Sequence, residues 1–318
     1  MTFELPHLKA FHTIVTTGSL GRAAQVLHIT QPALSRTIRK LEAAAGAPLF
    51  ERHSKGMQLT DIGRALLPHA SLLLREAQHA HDDIQAQLGL AQGVVRLGAI
   101  GSIACSVLPI AIARTCHAWP QLQVQVTEAV WDKLASALMA HEIDLALGVA
   151  LPDCEPITSI ADCRWQDRSY IVAGRHHGLH HHSACLADTL KERWAMFPKA
   201  TGPFEQLQAL FARHGLPMPR AVVETRSVTV IKSLVCHSGF LGWMPAPMFS
   251  TEFQTGLLAP LPLPDASDAR TLTVFRRRQG LLPTPASQFL AQLRKLTAPF
   301  SHPGWEPGTA AMGMVLPQ

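Results

Sequence analysis

The sequence lacks the features that would place a protein in a membrane or in an oxidising compartment. No apolar run reaches the roughly 18 to 20 residues that a membrane-spanning helix needs. The N-terminal segment has an acidic Glu4, no basic stretch and no small-residue cleavage site, so we expect no secretory signal. The six cysteines include no Cys-x-x-Cys pair, and we interpret them as reduced thiols. These absences predict a soluble protein of the cytoplasm with no membrane partner.

The sequence also lacks the motifs of common enzyme and metal sites. It has no P-loop, no Gly-x-Gly-x-x-Gly and no Gly-x-Ser-x-Gly, and His141-Glu142 is not followed by the second histidine of a metalloprotease motif. A histidine-rich run from His176 to His182 could bind a metal, but no cysteine or carboxylate stands beside it at structural-zinc spacing. We therefore predict no enzymatic activity, no cofactor and no dedicated metal site.

Length and charge point to several domains with different partners. The chain has 318 residues, 47% of them hydrophobic, which is enough for two or three domains with a sizeable core. Its net charge of +5 is unevenly placed. Residues 1–65, which we call the head, carry eight basic and four acidic side chains, whereas the remainder is nearly neutral. A basic head favours contact with a polyanion, although an ordinary solvated face would carry the same charge.

The first 60 residues show the pattern of short amphipathic helices joined by tight turns. Apolar residues recur at helical spacing from Leu8 to Val15, and Thr17-Gly18 interrupts the pattern. Ser19 and Thr30 are typical N-cap residues for a second and a third helix, with a short turn at His28-Ile29 between these helices. Two helices joined by such a turn form a helix-turn-helix.

The third of these helices has two faces of different chemistry. Leu34, Ile38 and Leu41 fall together and must face the core. The opposite face has small side chains that allow close approach to a DNA groove, and polar ones that reach base edges or phosphates. This face consists of Gln31, Pro32, Ser35, Arg36 and Arg39. By itself the pattern also fits an ordinary exposed helix face.

A basic hairpin is predicted beside the helix-turn-helix. Gly46 ends the third helix, and the chain then returns to the core through Pro48, Leu49 and Phe50. Residues 52–56 form a tight basic turn between two short extended segments. A hairpin in this place is a wing, and its Arg52 and Lys55 are placed to touch the sugar-phosphate backbone of DNA.

The order of these residues closely resembles that of the LysR-type transcriptional regulators. The stretches GSLGRAAQVLHITQPALSRTIRKLE and APLFER followed by LTDIG carry the resemblance, which is strong over residues 5–90 and looser over residues 93–300. It implies that Thr30, Gln31 and Pro32 open the DNA-recognition helix and that Arg52 and Lys55 belong to the wing. Residues 301–318 have no counterpart, and their proline and glycine content predicts a flexible tail.

Residues 61–92 are predicted to form a linker helix followed by a hinge. Apolar residues alternate spacings of four and three, which is a heptad seam typical of paired helices. The seam consists of Leu66, Ala70, Leu73, Ala77, Ala80 and Ile84. A helix packed on its own domain is the alternative, and Pro68 should kink the first turns. The resemblance implies that this helix pairs two subunits in a homodimer, and that dimers form a homotetramer.

From Val94 onwards, strands and helices alternate, which predicts a parallel sheet covered by helices. We expect one lobe over residues 93–162 and 266–300 and a second over residues 163–265, joined by two chain crossings. These lobes, which we call the body, resemble the periplasmic-binding-protein fold of the family's regulatory half. The predicted fold class is α+β multidomain: a winged helix-turn-helix over residues 1–60, the linker helix, and a two-lobed α/β effector domain.

The cleft between the lobes is the predicted effector site, because ligands of open α/β sheets bind beyond the carboxyl ends of the strands. Five residues end strands or lie in the loops beyond them, and by resemblance they fall near positions that line effector pockets: Ser102, Thr127, Val149, Thr201 and Arg226. Arg226 and the helix N-termini favour an anionic effector such as a carboxylate.

Together these patterns predict a sequence-specific DNA-binding regulator gated by a small-molecule effector. Its expected partners are double-stranded DNA, the effector and further copies of the chain, with RNA polymerase as an additional one. The alternative is a ligand-binding protein or histidine-rich metal sensor whose basic head serves another partner. The expected mechanism is a population shift, in which the ligand favours one arrangement of the lobes and so changes the spacing of the heads along DNA.

Overall fold

A computed structural model describes residues 3–53, 56–87, 93–152, 155–181 and 183–298. The chain divides into two compact units, one of residues 1–93 with 140–142 and one of residues 94–139 with 143–318. The predicted tail at residues 301–318 lies outside the described part of the chain. Among the described residues, no helix is both long and apolar enough to cross a membrane.

The head is a winged helix-turn-helix, as the sequence predicts. Its elements are the helices α1 (Leu5–Thr17), α2 (Leu20–Val26) and α3 (Gln31–Ala45) and the antiparallel strands β1 (Phe50–His53) and β2 (Gly56–Leu59). The long helix α4 (Asp61–Gln87) follows as the predicted linker helix. Leu8, Phe11 and Ile14 of α1 are fully buried against the apolar face of α3 and the ring of Phe50. The apolar spacing of the sequence therefore forms one compact core.

The residues of the predicted heptad seam on α4 lie in two different environments. Ala70 is fully buried and Leu66 is partly buried, and both belong to the core of the head because the first turns of α4 pack against α1. Leu73 and Ile84, further along the seam, are 46% and 58% exposed. The expectation that the whole seam serves a partner is therefore wrong for its first two residues, where the single-domain alternative is correct.

The body contains one continuous nine-stranded sheet that runs through both lobes. Its first part comprises β3 (Val94–Ala99), α5 (Gly101–Ala104), α6 (Val107–Ala118), β4 (Gln123–Glu128), α7 (Trp131–Met139) and β5 (Leu145–Val149). The long strand β6 (Ile157–Gly174) then leads to β7 (Trp194–Met196), α8 (Gly202–Arg213), β8 (Ala221–Glu224), α9 (Val228–Ser238) and β9 (Leu241–Pro245). The last elements are α10 (Ser250–Gln254), β10 (Leu258–Pro260), β11 (Ser267–Arg277) and α11 (Thr284–Thr297).

The two lobes share a pair of long antiparallel strands. The strand order is β4-β3-β5-β11-β6-β9-β7-β8, and β10 pairs with β6 off this path. Strands β6 and β11 pair from Tyr170 opposite Ser267 to Ile157 opposite Arg277, so they are the two predicted chain crossings. The apolar alternation of the sequence predicts a strand only over residues 168–174, in the second half of β6, because Asp162, Arg164 and Asp167 interrupt the alternation before it.

Candidate functional site

The N-terminus of α3 is fixed by local capping interactions. The Thr30 hydroxyl accepts a hydrogen bond from the Ala33 amide at 3.4 Å, and Pro32 occupies the first turn, where no amide hydrogen is needed. At the other end Gly46 adopts a left-handed conformation with φ of 74° and closes the helix. The predicted cap, first turn and end of the helix are therefore confirmed.

The polar face of α3 is open to solvent. Gln31, Pro32, Arg36 and Arg39 are exposed, while Ser35 is half-buried. Within the described part of the chain, Arg36 and Arg39 form no ion pair. Both guanidinium groups can therefore meet an external anion without first breaking an internal contact.

A backbone hydrogen bond ties the wing to the end of α1, and a side chain of α3 holds the residue that precedes the wing. The Met57 amide donates to the Gly18 carbonyl at 3.2 Å, and the Leu49 amide donates to a Glu42 carboxylate oxygen at 2.9 Å. Arg52 lies on β1, but its side chain is outside the described part of the structure, as is the whole of Lys55. Their predicted contacts with DNA stay predictions.

A close backbone approach, which sequence reasoning missed, joins α4 to the wing. Thr60 accepts a hydrogen bond from the Gly63 amide at 3.0 Å and donates one to the Pro48 carbonyl at 2.8 Å. A Cβ atom at Gly63 would overlap the Leu49 carbonyl oxygen and lie 2.8 Å from Leu59 Cδ2. The signal was the LTDIG stretch, in which a threonine three residues before a helical glycine marks both the cap and the close contact.

A cavity of about 970 Å³ lies in the body between the lobes. Three of the five predicted effector residues line it: Ser102 beyond β3, Val149 at the end of β5 and Arg226 before α9. Residues from both predicted lobes therefore meet around one space, which is large enough for a small-molecule ligand.

Thr127 and Thr201 are not among the residues that line this cavity, contrary to expectation. Thr127 is exposed on β4, and its neighbour Glu128 lines the cavity instead, because successive strand residues point to opposite faces. Thr201 is buried and its hydroxyl donates to the Pro198 carbonyl at 2.7 Å. Its neighbour Gly202, at the start of α8, takes the lining position.

The floor of the cleft contains a buried ion pair that sequence reasoning missed. Arg270 on β11 and Asp167 on β6 are 7% and 8% exposed and face each other in the strand register. The Arg270 Nε donates to Asp167 Oδ1 at 2.7 Å, and its Nη2 bonds both Asp167 Oδ2 and, at 3.0 Å, the Ser102 hydroxyl. Ser102 therefore already accepts one hydrogen bond from within the protein.

Neutral polar atoms are also buried around this cleft. The Ser169 hydroxyl, the Trp243 indole nitrogen and the Gln206 amide oxygen belong to lining residues, and none has a hydrogen-bond partner in the described structure. Buried polar atoms normally have a partner, so these three atoms carry a desolvation cost that no hydrogen bond in the described structure offsets.

The charges around the cleft are close to balanced. Four carboxylates line it (Glu128, Asp132, Glu205 and Asp268), together with three cations (Lys133, Arg226 and Arg270). Arg270 is compensated by Asp167, and Asp268 is paired with Arg213 at 3.0 Å. Lys133 and Arg226 form no ion pair with a described residue, so they are the cations left for an anionic group.

The histidine-rich run does not form a metal cluster in the described part of the chain. There, no group of three or more histidine, cysteine, aspartate or glutamate side chains could hold a metal ion. His177 instead caps a short 3-10 helix at residues 178–180 by accepting from the Leu179 amide, and its Nε2 lies 3.5 Å from Glu192. His182 lies outside the described residues.

Comparison with known proteins identifies both parts of the chain. A family model described as bacterial regulatory helix-turn-helix protein, lysR family, matches residues 5–64, and the LysR substrate binding domain matches residues 88–298. The chain is 31% identical over 286 residues to the HTH-type transcriptional regulator GalR of Pseudomonas putida, covering 90% of this chain and 72% of that protein. It is 28% identical over 263 residues to GbpR of Rhizobium radiobacter, covering 82% of this chain and 86% of that protein.

Solved structures show the same fold. Full-length CbnR complexed with its target DNA matches with a TM-score of 0.68 at 23% identity, covering 92% of this chain and 99% of that chain. A full-length OxyR variant from Pseudomonas aeruginosa matches with a TM-score of 0.67 at 20% identity, covering 93% and 94%. The matched families contain transcriptional regulators and not enzymes, and nothing in them supports the metal-sensor alternative. The chain belongs to the LysR family and is a DNA-binding transcriptional regulator with an effector-binding domain.

Proposed function

We propose that paired heads of this regulator bind a dyad operator with α3 in the major groove, and that a small anionic molecule in the cleft controls this binding. The observation that carries the DNA part is the exposed face of α3, on which Arg36 and Arg39 form no ion pair within the described residues. A helix of this kind fits the major groove, where arginine reads guanine and glutamine reads adenine.

The remaining head residues have supporting roles in this proposal. Thr30 already uses its hydroxyl oxygen as a helix cap, so its part in DNA binding is to hold Gln31 and the first turn of α3 in place. Arg52 and Lys55 would contact phosphates from the wing, whose second strand is tied to Gly18. Phosphate contacts strengthen binding to any sequence, whereas base contacts discriminate between sequences.

The DNA experiment separates these two kinds of contact. An operator is first selected from random duplexes, and binding is then followed by fluorescence anisotropy against the operator and a scrambled duplex. Arg36→Ala should weaken operator binding by about ten- to a hundredfold and reduce the preference for the operator. Lys55→Ala should weaken binding to both duplexes and lower the salt slope by about 1.

The matched control for these variants is Lys295→Ala, which removes an exposed positive charge from α11 of the body. It should leave both affinities unchanged, because only charges close to DNA release counterions from it. If Arg36→Ala leaves the operator preference intact, α3 is not the element that reads the bases.

For the effector, the supporting observation is that Ser102 and Arg226, from the two predicted lobes, line one cavity. Arg226 is exposed at the bend before α9, an eleven-residue helix whose N-terminus adds favourable potential for an anion. A ligand that contacts both lobes binds one arrangement of the lobes more tightly than another and so shifts the population between them. The change in lobe arrangement would then alter the spacing of the heads.

A thermal-shift screen of carboxylates and aromatic acids tests the effector proposal. The best compound should raise the melting temperature of the wild type, and Arg226→Ala should lower its affinity by about tenfold or more, because a charge-assisted hydrogen bond is lost. Arg220→Ala is the matched control, since Arg220 is exposed but does not line the cleft. Equal stabilisation of wild type and Arg226→Ala would remove Arg226 from the site.

The assembly is also part of the proposal. Leu73 and Ile84 are exposed on α4 and would be covered by the same helix of a second copy in a homodimer, with a homotetramer as the next step. Analytical ultracentrifugation should show at least a dimer, and Leu73→Glu with Ile84→Glu should shift it towards the monomer. Action in the cytoplasm and contact with RNA polymerase are further expectations of this function.

A further inference from the structure

A second cavity, of about 570 Å³, lies in the body away from the residues that line the cleft. It is a half-open cavity lined by the end of β6 and the residues after it, by β10 and the loop that follows it, and by the start of β11. Its apolar wall includes Phe253 and the proline-rich segment from Pro260 to Leu263. The proposed function does not use this space.

One strand pair separates the two cavities. Ser169 and Asp268 face each other in the register of β6 and β11 and line the cleft, whereas the next facing pair, Tyr170 and Ser267, lines the second cavity. Adjacent residues of a strand point to opposite faces of a sheet. A molecule in either cavity therefore contacts the same two strands.

The polar residues of the second cavity differ in charge from those of the cleft. Arg175, His180, His181 and Tyr170 supply its ionisable groups, and no carboxylate lines it among the described residues, whereas four line the cleft. Arg175 is exposed and forms no ion pair within the described part of the chain. An anionic group entering this cavity would thus meet a cation and no lining residue that repels it.

His180 lies among these positively charged groups. Its Nε2 atom is buried and has no hydrogen-bond partner in the described structure. Burial lowers the pKa of His180, a hydrogen bond with the Ala173 backbone opposes this, and the positive charges of His177, Arg175 and His181 lower the pKa further. These neighbours create a positive potential at the imidazole, which an anion would relieve.

We propose that this cavity is a second binding site of the regulator, for a small molecule that carries a carboxylate or phosphate group on an apolar body. Arg175 holds the anionic group with charge-assisted hydrogen bonds, His180 lies in the same wall of the cavity, and the segment from Pro260 to Leu263 packs on the apolar part. Because the strand pair behind Tyr170 also forms the cleft wall, occupancy of this site would bias effector binding; only this coupling rests on the proposed function.

The probes are 4-iodobenzoate, 4-iodophenyl phosphate and inorganic phosphate, with neutral 4-iodobenzamide as the control. Crystals of the full chain soaked with 4-iodobenzoate should show anomalous iodine density beside Arg175. Calorimetry in solution should show that Arg175→Gln weakens this binding event by about ten- to a hundredfold, while Arg226→Gln leaves it unchanged. The phosphate probes show which anion the site accepts and whether it needs the apolar body.

A second variant covers the apolar part of the site. Leu263→Trp should fill the cavity and abolish the event that depends on Arg175, with far-ultraviolet circular dichroism showing that the variant is folded. Iodine density in the cleft alone, or affinities that Arg175→Gln does not change for any anionic probe, would overturn the second site and leave the cleft proposal standing. Binding that depends on Arg175 and not on Arg226 would support the second site and would leave the cleft proposal to its own thermal-shift screen.

Discussion

The head and the body use their charged side chains in opposite ways. In the head, Arg36 and Arg39 stand on an exposed helix face and form no ion pair with described residues. In the body, Arg270 is buried and is held by Asp167 and Ser102, which are 103 and 168 positions away in the chain. The head thus presents charge for a partner, whereas the floor of the cleft has satisfied its own charge within the protein.

We expect the largest effect on stability when the buried arginine of the body loses its counter-charge. Asp167→Asn would leave the buried Arg270 without its counter-charge, and we expect a loss of about 3 to 5 kcal/mol in the free energy of unfolding of the body. All six tryptophans follow residue 118, so tryptophan fluorescence during urea unfolding reports on the body alone.

The matched control is Asp162→Asn, which removes the partner of Arg294 in an ion pair whose side chains are 43% and 65% exposed. This exposed pair should be worth less than about 1 kcal/mol, because water screens its charges. Equal losses for the two variants would show that burial does not distinguish the two ion pairs, and the contrast between head and body would fail.

A smaller effect is expected from a change in the packing of the head. Gly63→Ala places a Cβ atom against the Leu49 carbonyl oxygen, and relieving this overlap should cost about 2 kcal/mol. Hydrogen-exchange mass spectrometry should show faster exchange in α1 and α3, with the tryptophan-detected unfolding of the body unchanged.

Gly21→Ala, within α2, is the control for this variant, since only the Ser19 side chain lies near its Cβ position. Alanine is the better helix former, so this variant should be as stable as the wild type or slightly more stable. Unchanged exchange in Gly63→Ala would mean that the wing shifts to make room.

The smallest effect concerns chemical reactivity and does not require unfolding. Burial raises the pKa of Cys163 to about 11, so on the order of 0.1% of this thiol is ionised at pH 8. Iodoacetamide at that pH should label the exposed Cys185 well before Cys163, as judged by mass spectrometry of the peptides. The head contains no cysteine, so the labelling also follows the body alone.

Labelling of Cys163 can also report on the ion pair between Arg270 and Asp167. Cys163 and Asp167 lie on the same strand, so Asp167→Asn should speed the labelling of Cys163 if loss of the ion pair loosens β6. Labelling of Cys163 in the wild type at the rate of Cys185 would show that this part of the sheet opens readily. The five cysteines that the structure describes are free, in agreement with their interpretation as thiols.

The head could be predicted almost completely because its determinants are close together in the sequence. Thr30, Pro32 and Gly46 mark the ends of α3, and Leu34, Ile38 and Leu41 mark its buried face, so local rules were sufficient. In the body, the alternation of helices and strands is also predictable from the sequence, but the short strands β7 and β10 are not. Each has only three residues, which is too few for a periodic pattern.

The sequence predicts the location of the cleft but only some of the residues that line it. Ser102, Val149 and Arg226 line it, whereas Thr127 points to the other side of β4 and Thr201 bonds to Pro198. A one-residue shift along a strand reverses the side-chain direction, and strand ends cannot be located to one residue from sequence. For the same reason, the sequence does not reveal that Ser169 lines the cleft or that Tyr170 lines the second cavity.

From the sequence alone, the motif stretches of the head indicate the family by resemblance. Capping residues and apolar spacing predict the helix-turn-helix and the alternation of strands and helices, because they act over a few neighbouring positions. Only the tertiary structure shows that Asp167 neutralises Arg270, that Ala70 belongs to the core of the head and that the histidine-rich run borders a cavity. These facts depend on which distant segments meet, and the free energy of such contacts is set by burial and register, which no local pattern encodes.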